Sequence, residues 1–249
     1  MELTIRQKFQ VSWNRHFPGI ELPLCLAYAD EAGDAEPVKP ERGTHCMIAS
    51  LRQARNGEAI AFGKGSIACG GGNRYCGFSP KLRPGFEYFL SYGNEAMEGE
   101  RYKKDPGVVR AWLENKPALV APGRYLIVKR WDLLTEADDP FAVLFFARPD
   151  VLAGLFTLAN YDEVSEHGVI SPMGAGCMTI IQYPYQENQK ENPAAIIGMF
   201  DISARPSVGA NELSFAVPMK RFVRMIDNME ESFLITGSWK KLRELPERL

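Results

Sequence analysis

The chain is 249 residues long, with 29 basic and 31 acidic residues and a formal net charge of −2. That balance, with no basic run longer than a pair, excludes a nucleic-acid binder that draws its affinity from neutralising phosphates. A hydrophobic share of 45% is ample for a large core, which excludes a wholly disordered chain.

Residues 1–8 have neither a continuous apolar core nor a small-residue cleavage pattern, and no later segment approaches the ~18 apolar residues of a membrane span. A soluble cytoplasmic protein without a membrane partner is the expectation. Leu3, Phe9, Trp13 and Phe17 fall at helical intervals and predict an amphipathic helix over residues 2–17. Residues 22–28 alternate with period two and read as a strand, followed by a polar loop with Pro37 and Pro40. Thr44 is placed to cap a helix over 45–55, in which Met47, Leu51 and Ala54 share a face and Asn56-Gly57 is the stop. A short strand over 58–62 then runs into the glycine-dense segment 63–77, where regular structure is costly.

Beyond a polar region at 94–107, residues 125–131 and 141–147 are the clearest strands. Pro149 fits the first turn of a helix running to about Asn160, and residues 174–183 predict another helix, ended by Pro184. Strands are expected at 194–200 and 213–217. Pro218 opens a last helix whose Phe222, Ile226, Met229 and Phe233 lie on one face. The order strand, cysteine-bearing helix, strand occurs twice, at 22–62 and at 141–200. The fold class is therefore α+β: one domain over 1–249, with a mixed or largely antiparallel sheet, packed helices and two similar halves at 1–120 and 121–249.

Chemistry concentrates in cysteine. Five cysteines at irregular spacing, Cys25, Cys46, Cys69, Cys76 and Cys177, make poor material for a disulfide framework and read as reduced thiols. Cys25, between Leu24 and Leu26 in a strand, reads as a packing residue. The other four are the number that closes a tetrahedral zinc site or holds an iron–sulfur cluster. Their spacings of 23, 7 and 101 residues match none of the standard patterns. In favour, Cys69 and Cys76 bracket a triple glycine, and Cys46 and Cys177 fall near predicted helix N-termini, where the dipole favours thiolate.

Two further readings stay open. In one, Gly70, Gly71, Gly72 and Arg74, with Arg205, hold an anionic small molecule through backbone amides and guanidinium groups while the cysteines merely pack. In the other, Cys46, Cys69 or Cys76 is a reactive thiol, and His167, ten residues before Cys177, leaves room for a Cys–His pair. Arg52 and Arg55 share a face of the 45–55 helix, with solvated surface as their default. Residues 63–68 match a dinucleotide fingerprint on paper, but no Asp follows at the ribose-binding distance and triple glycine stands where the helix should run.

The string Cys46-Met47-Ile48-Ala49-Ser50-Leu51-Arg52-Gln53-Ala54-Arg55-Asn56-Gly57, then Cys69-Gly70-Gly71-Gly72 and Cys76-Gly77-Phe78, resembles the domain of unknown function family 169 of archaea and anaerobic bacteria. Ser203-Ala204-Arg205, Glu212-Leu213 and Val217-Pro218 are similar to the same family's C-terminal pattern. The resemblance covers nearly the whole chain. It implies no assigned activity, so the chemistry rests on the residues themselves.

Overall fold

In the computed structural model, which describes residues 3–39, 46–116 and 118–244, the period-two apolar runs become strands. These are β1 (Leu24–Ala29), β2 (Glu36–Pro37), β3 (Ile60–Gly63), β4 (Gly93–Asn94), β5 (Met97–Glu98), β6 (Tyr125–Arg130), β7 (Ala142–Ala147), β8 (Val169–Ile170), β9 (Ala195–Gly198) and β10 (Leu213–Pro218). β4 and β5 pair with each other, and the other eight form one sheet in the order β2-β3-β6-β1-β7-β10-β9-β8. Only the edge pairs β2–β3 and β8–β9 are parallel.

That order reads the same from either edge. Numbered within its own half, each side runs second, third, fourth and first strand inwards, with β1 and β7 paired antiparallel at the centre. Because β6 pairs with both β1 and β3, it belongs to the N-terminal half. A division at 120/121 would detach it, and the junction falls instead between Arg130 and Ala142.

The helices are α1 (Leu3–His16), α2 (Met47–Arg55), α3 (Gly70–Tyr75), α4 (Phe86–Phe89), α5 (Pro106–Glu114), α6 (Pro149–Ala159), α7 (Tyr183–Glu187), α8 (Met219–Asn228) and α9 (Gly237–Arg243). Among the described residues no helix is long and apolar enough to cross a membrane. Alternation along the strands gives the sheet two apolar faces. One carries Cys25, Val143, Phe145, Phe215 and Val217 and is covered by α1, α6, α8 and α9. Phe9 of α1 meets Trp131 at 4.7 Å and Phe222 of α8 at 5.0 Å, edge to face. The other carries Leu24, Leu26, Leu126, Val128 and Leu144 and is covered by α2, α3 and the segment 177–187.

Four local expectations are corrected. Gly70–Tyr75 is helical despite its glycines, because Asn73 ties its side-chain amide to the carbonyls of Ile67 and Cys69 and the segment docks on the core through Tyr75. Pro184 does not end its helix: the wider π-helical turn Met178–Gln182 precedes it, so the chain continues into α7 with proline in the first turn, where no amide is needed. α5 begins at the end of the region read as polar and runs on through a stretch for which no element was expected; its signal is legible in Asp105-Pro106, since the Asp105 carboxylate accepts from the Val108 amide at 2.9 Å. α8 stops at Asn228, and Phe233 reaches the core from a separate turn, edge-on to Trp239 at 5.4 Å. The Thr44 cap lies outside the described residues.

At the far edge of the sheet Arg221 is buried and donates to Pro193 O, Ala159 O, Asn192 and Glu163. Burial alone would raise the Glu163 carboxyl; hydrogen bonds from Asn192 and Arg221 and the charge of Arg224 outweigh it and hold it below the ordinary value of 4.5. A lowered folded value means stability that is present above 4.5 and lost as pH falls through the folded value. Urea midpoints should therefore fall on acidification below about pH 4.5, and more steeply than in Glu163→Gln, which lacks that proton. At Gly154 of α6, an added Cβ would lie 2.4 Å from the Trp239 ring of α9. Gly154→Ala should destabilise by about 1–3 kcal/mol in urea unfolding through overpacking, against the ~1 kcal/mol gain expected from helix propensity alone.

Candidate functional site

Four of the five cysteines meet on the α2 side of the sheet. Cys46 is the N-cap of α2 and Cys69 the N-cap of α3, in nearly the same extended conformation (φ −69°, ψ 128° and φ −75°, ψ 126°). Cys76 closes α3 at its C-cap, and Cys177 directly precedes the π-helical turn that leads into α7. In strand order Cys46 and Cys177 are counterparts: each stands before a methionine, at the start of the helix that joins the parallel strands of its half. Cys76 and Cys177 are buried, whereas Cys46 and Cys69 are half-buried and pack against the same core.

Two glycines let these segments approach. A Cβ on Gly176 would lie 2.7 Å from Ile48 of α2 and 3.0 Å from the Met199 sulfur, and one on Gly72 would lie 2.7 Å from Ile67. The Cys76 Sγ rests 3.2 Å from the Met47 Sδ, and the Tyr28 hydroxyl donates to the Cys76 carbonyl at 2.9 Å.

Cys46, Cys76 and Cys177 are held neutral. Burial is the main cause, pushing Cys76 and Cys177 well up, and each is raised further by the other clustered sulfurs: Cys69 and Cys46 act on Cys76, and all three on Cys177. Cys46 is also raised by burial, partly offset by the Ile48 amide and the Ser207 hydroxyl. These mutual effects place the four sulfurs within electrostatic reach of one another. Among the described residues, no three His, Cys, Asp or Glu side chains stand close enough together to hold one ion as they are placed.

Asp201 was not singled out from the sequence. Its carboxylate accepts from the Gly176 amide at 3.0 Å, pinning the turn before Cys177, and its charge reaches both Cys46 and Cys177. The adjacent Met199 is buried with a φ of 68°, a left-handed turn that few non-glycine residues adopt. Nothing in the local pattern marks either residue, since their role comes from tertiary contact.

The remaining candidates separate. Arg74 donates to the Pro80 carbonyl, and Arg205 donates to the carbonyls of Gly209, Ala210 and Glu212. Each guanidinium thus stabilises its own loop. Gly70, Gly71 and Gly72 lie inside α3, so the amide nest expected of a loop is replaced by helix geometry. Arg55 is clamped between Glu212, at 2.8 and 2.9 Å, and Glu21, at 2.8 Å, with its guanidinium over Phe146. Arg52 is exposed and borders two clefts on either flank of α2, of about 250 and 430 Å³, the first of which also reaches Cys46. His167 is exposed on the loop before β8, and His45 lies outside the described residues. Cys25 is buried on the opposite face of the sheet.

The chain belongs to the domain of unknown function family 169, described as Uncharacterised ArCR, which matches residues 21–228. No curated protein and no solved structure matches it. The matched region holds all eight strands of the main sheet and the four clustered cysteines, and leaves out α1 and α9.

Exposure sets an order of thiol access. Iodoacetamide on the native protein should modify Cys46 and Cys69 and spare Cys25, Cys76 and Cys177, with all five modified after denaturation, as read by peptide mass spectrometry.

Proposed function

We propose that this protein carries an iron–sulfur cluster on Cys46, Cys69, Cys76 and Cys177, with a single zinc ion as the competing occupant. The observation that supports the reading is the gathering of four thiols, from three separate stretches of chain, on one face of the sheet and within reach of each other's charge. Packing alone does not account for it. Cys46 and Cys69 stand half-exposed at helix starts, where a small apolar residue has little to gain, while a thiolate gains from the helix dipole.

A cluster suits the site better than one zinc ion. Zinc holds each sulfur at about 2.3 Å, which draws four sulfurs around a single point. A four-iron cluster gives each cysteine its own iron and so accepts more widely spread ligands. The metal would also supply the positive charge that the clustered thiols lack, with the thiol protons released on binding. Asp201 would then act as a positioning residue, holding the turn of Cys177. Such a cluster is compatible with the reducing cytoplasm expected from the cysteine pattern.

The test is anaerobic loading with iron and sulfide, followed by visible absorption and elemental analysis. About four iron and four sulfide per chain and a brown protein are expected, with Cys76→Ser and Cys177→Ser losing the colour and Cys25→Ala retaining it. Zinc at about one per chain, with no colour, would favour the competing occupant; neither metal bound would remove the reading.

A further inference from the structure

We infer that the smaller cleft beside α2, of about 250 Å³, binds a small organic anion, a carboxylate or phosphate ester with a short apolar body, held by Lys39 and Arg52. The inference goes beyond the metal reading and does not depend on it, since neither cation belongs to the cysteine site.

Charge carries the argument first. The chain as a whole is slightly acidic, yet residues 46–86 hold six basic side chains, Arg52, Arg55, Lys64, Arg74, Lys81 and Arg83, against the single acid Glu58. Some of that charge is consumed locally. In the larger cleft on the other flank of α2, Glu21 and Glu212 take up Arg55, and Arg74 donates to the Pro80 carbonyl. The smaller cleft has no such compensation: none of the described residues that line it is Asp or Glu. Arg52 and Lys39, the residue two beyond β2, have no ion pair or hydrogen bond among the described residues. A cleft whose walls carry one sign of charge focuses the field and draws in solutes of the opposite sign.

The rest of the lining supplies orientation. Arg52, Gln53 and Asn56 follow Ala49 at i+3, i+4 and i+7, so α2 turns one polar stripe to the cleft while Leu51 and Ala54 are buried in the core. Ser66, on the loop between β3 and α3, accepts from the Gly63 amide at 3.1 Å, which leaves its own proton to donate to a ligand. Met47, Phe62 and Ile67 are buried and give the cleft an apolar lining, which an inorganic anion would leave unused. Its volume lies just below the roughly 300–1,000 Å³ of most small-molecule sites, which suits a small metabolite and not a dinucleotide. The anion site expected from the sequence was a different one, because Gly70, Gly71, Gly72, Arg74 and Arg205 do not line this cleft.

Cys46, half-buried in the cleft lining, is a built-in reporter. The test uses the full chain, treated with a chelator so that no metal covers that thiol, and reads two quantities. Calorimetric titrations with hexanoate, phenyl phosphate and inorganic phosphate compare wild type with Lys39→Gln, Arg52→Gln and, as a control for net charge, Lys241→Gln on α9. Lys39 singles out this cleft, since Arg52 also borders the larger one. Alkylation compares iodoacetate, itself a small carboxylate, with iodoacetamide at Cys46, with Cys69, outside the cleft lining, as internal reference. Hexanoate or phenyl phosphate should bind saturably, about fivefold more weakly in each cleft variant and unchanged in Lys241→Gln; the tighter of the two identifies the carboxylate or the ester. Relative to Cys69, Cys46 should favour iodoacetate about fivefold, and the preference should vanish in both cleft variants and fade in high salt. Absence of saturable binding, binding that the cleft variants leave unchanged, or an equal iodoacetate preference at both cysteines overturns the inference. Inorganic phosphate bound as tightly as the organic probes overturns the assignment of an organic ligand. The metal reading stands or falls separately, on iron uptake.

Discussion

The antiparallel pairing of β1 with β7 is the contact on which the remaining architecture depends. Its register sets Leu24 opposite Leu144, Cys25 opposite Val143 and Leu26 opposite Ala142, and all six residues of β7 are buried. Without it each four-stranded half would present an open apolar edge. A slip of one residue would turn every side chain of one half to the other face. Leu24 and Leu26 would then leave the core beneath α2, and Cys25 would enter it. The pairing therefore determines both that the halves cohere and which thiols share a face.

The same pairing explains how distant cysteines come together. A twofold rotation about an axis through the β1–β7 contact, perpendicular to the sheet, leaves each face on its own side. The helices that join β2 to β3 and β8 to β9 consequently pack on the same face, and their first residues, Cys46 and Cys177, are brought together there. The sequence between β3 and β6 has no strand-for-strand equivalent in the C-terminal half, and within it α3 adds Cys69 and Cys76. Gly72 and Gly176 remove the side chains that would otherwise hold α3 and the Cys177 turn away from their neighbours.

Electrostatics then gives the assembled thiols a direction. Burial and mutual proximity both favour the neutral form of Cys46, Cys76 and Cys177, and Asp201 adds negative charge beside Cys46 and Cys177. Three of the nearby cations are engaged elsewhere: Arg55 by Glu21 and Glu212, and Arg74 and Arg205 by backbone carbonyls. A thiolate at Cys76 or Cys177 would be costly without a positive charge beside it, because an apolar interior cannot screen it.

From the sequence alone, the principal strands were legible to within a residue or two, since a sheet covered on both faces demands short apolar runs bounded by turn residues. The α2 and α6 helices, the repeated order of strand, cysteine-bearing helix and strand, and the separate character of Cys25 were legible for the same reason: each is written in neighbouring residues. What only the tertiary structure decided are the features that depend on residues far apart in the chain. Gly70–Tyr75 is helical because Asn73 and the core hold it there, against its own glycines. Pro184 is absorbed by a π-helical turn rather than ending its helix. Arg74 and Arg205, which as a composition suggest an anion site, are spent on loops of their own. The meeting of Cys177 with three cysteines a hundred residues away is a product of sheet topology, because local propensity acts over a few residues and only the pairing of β1 with β7 brings the two halves face to face.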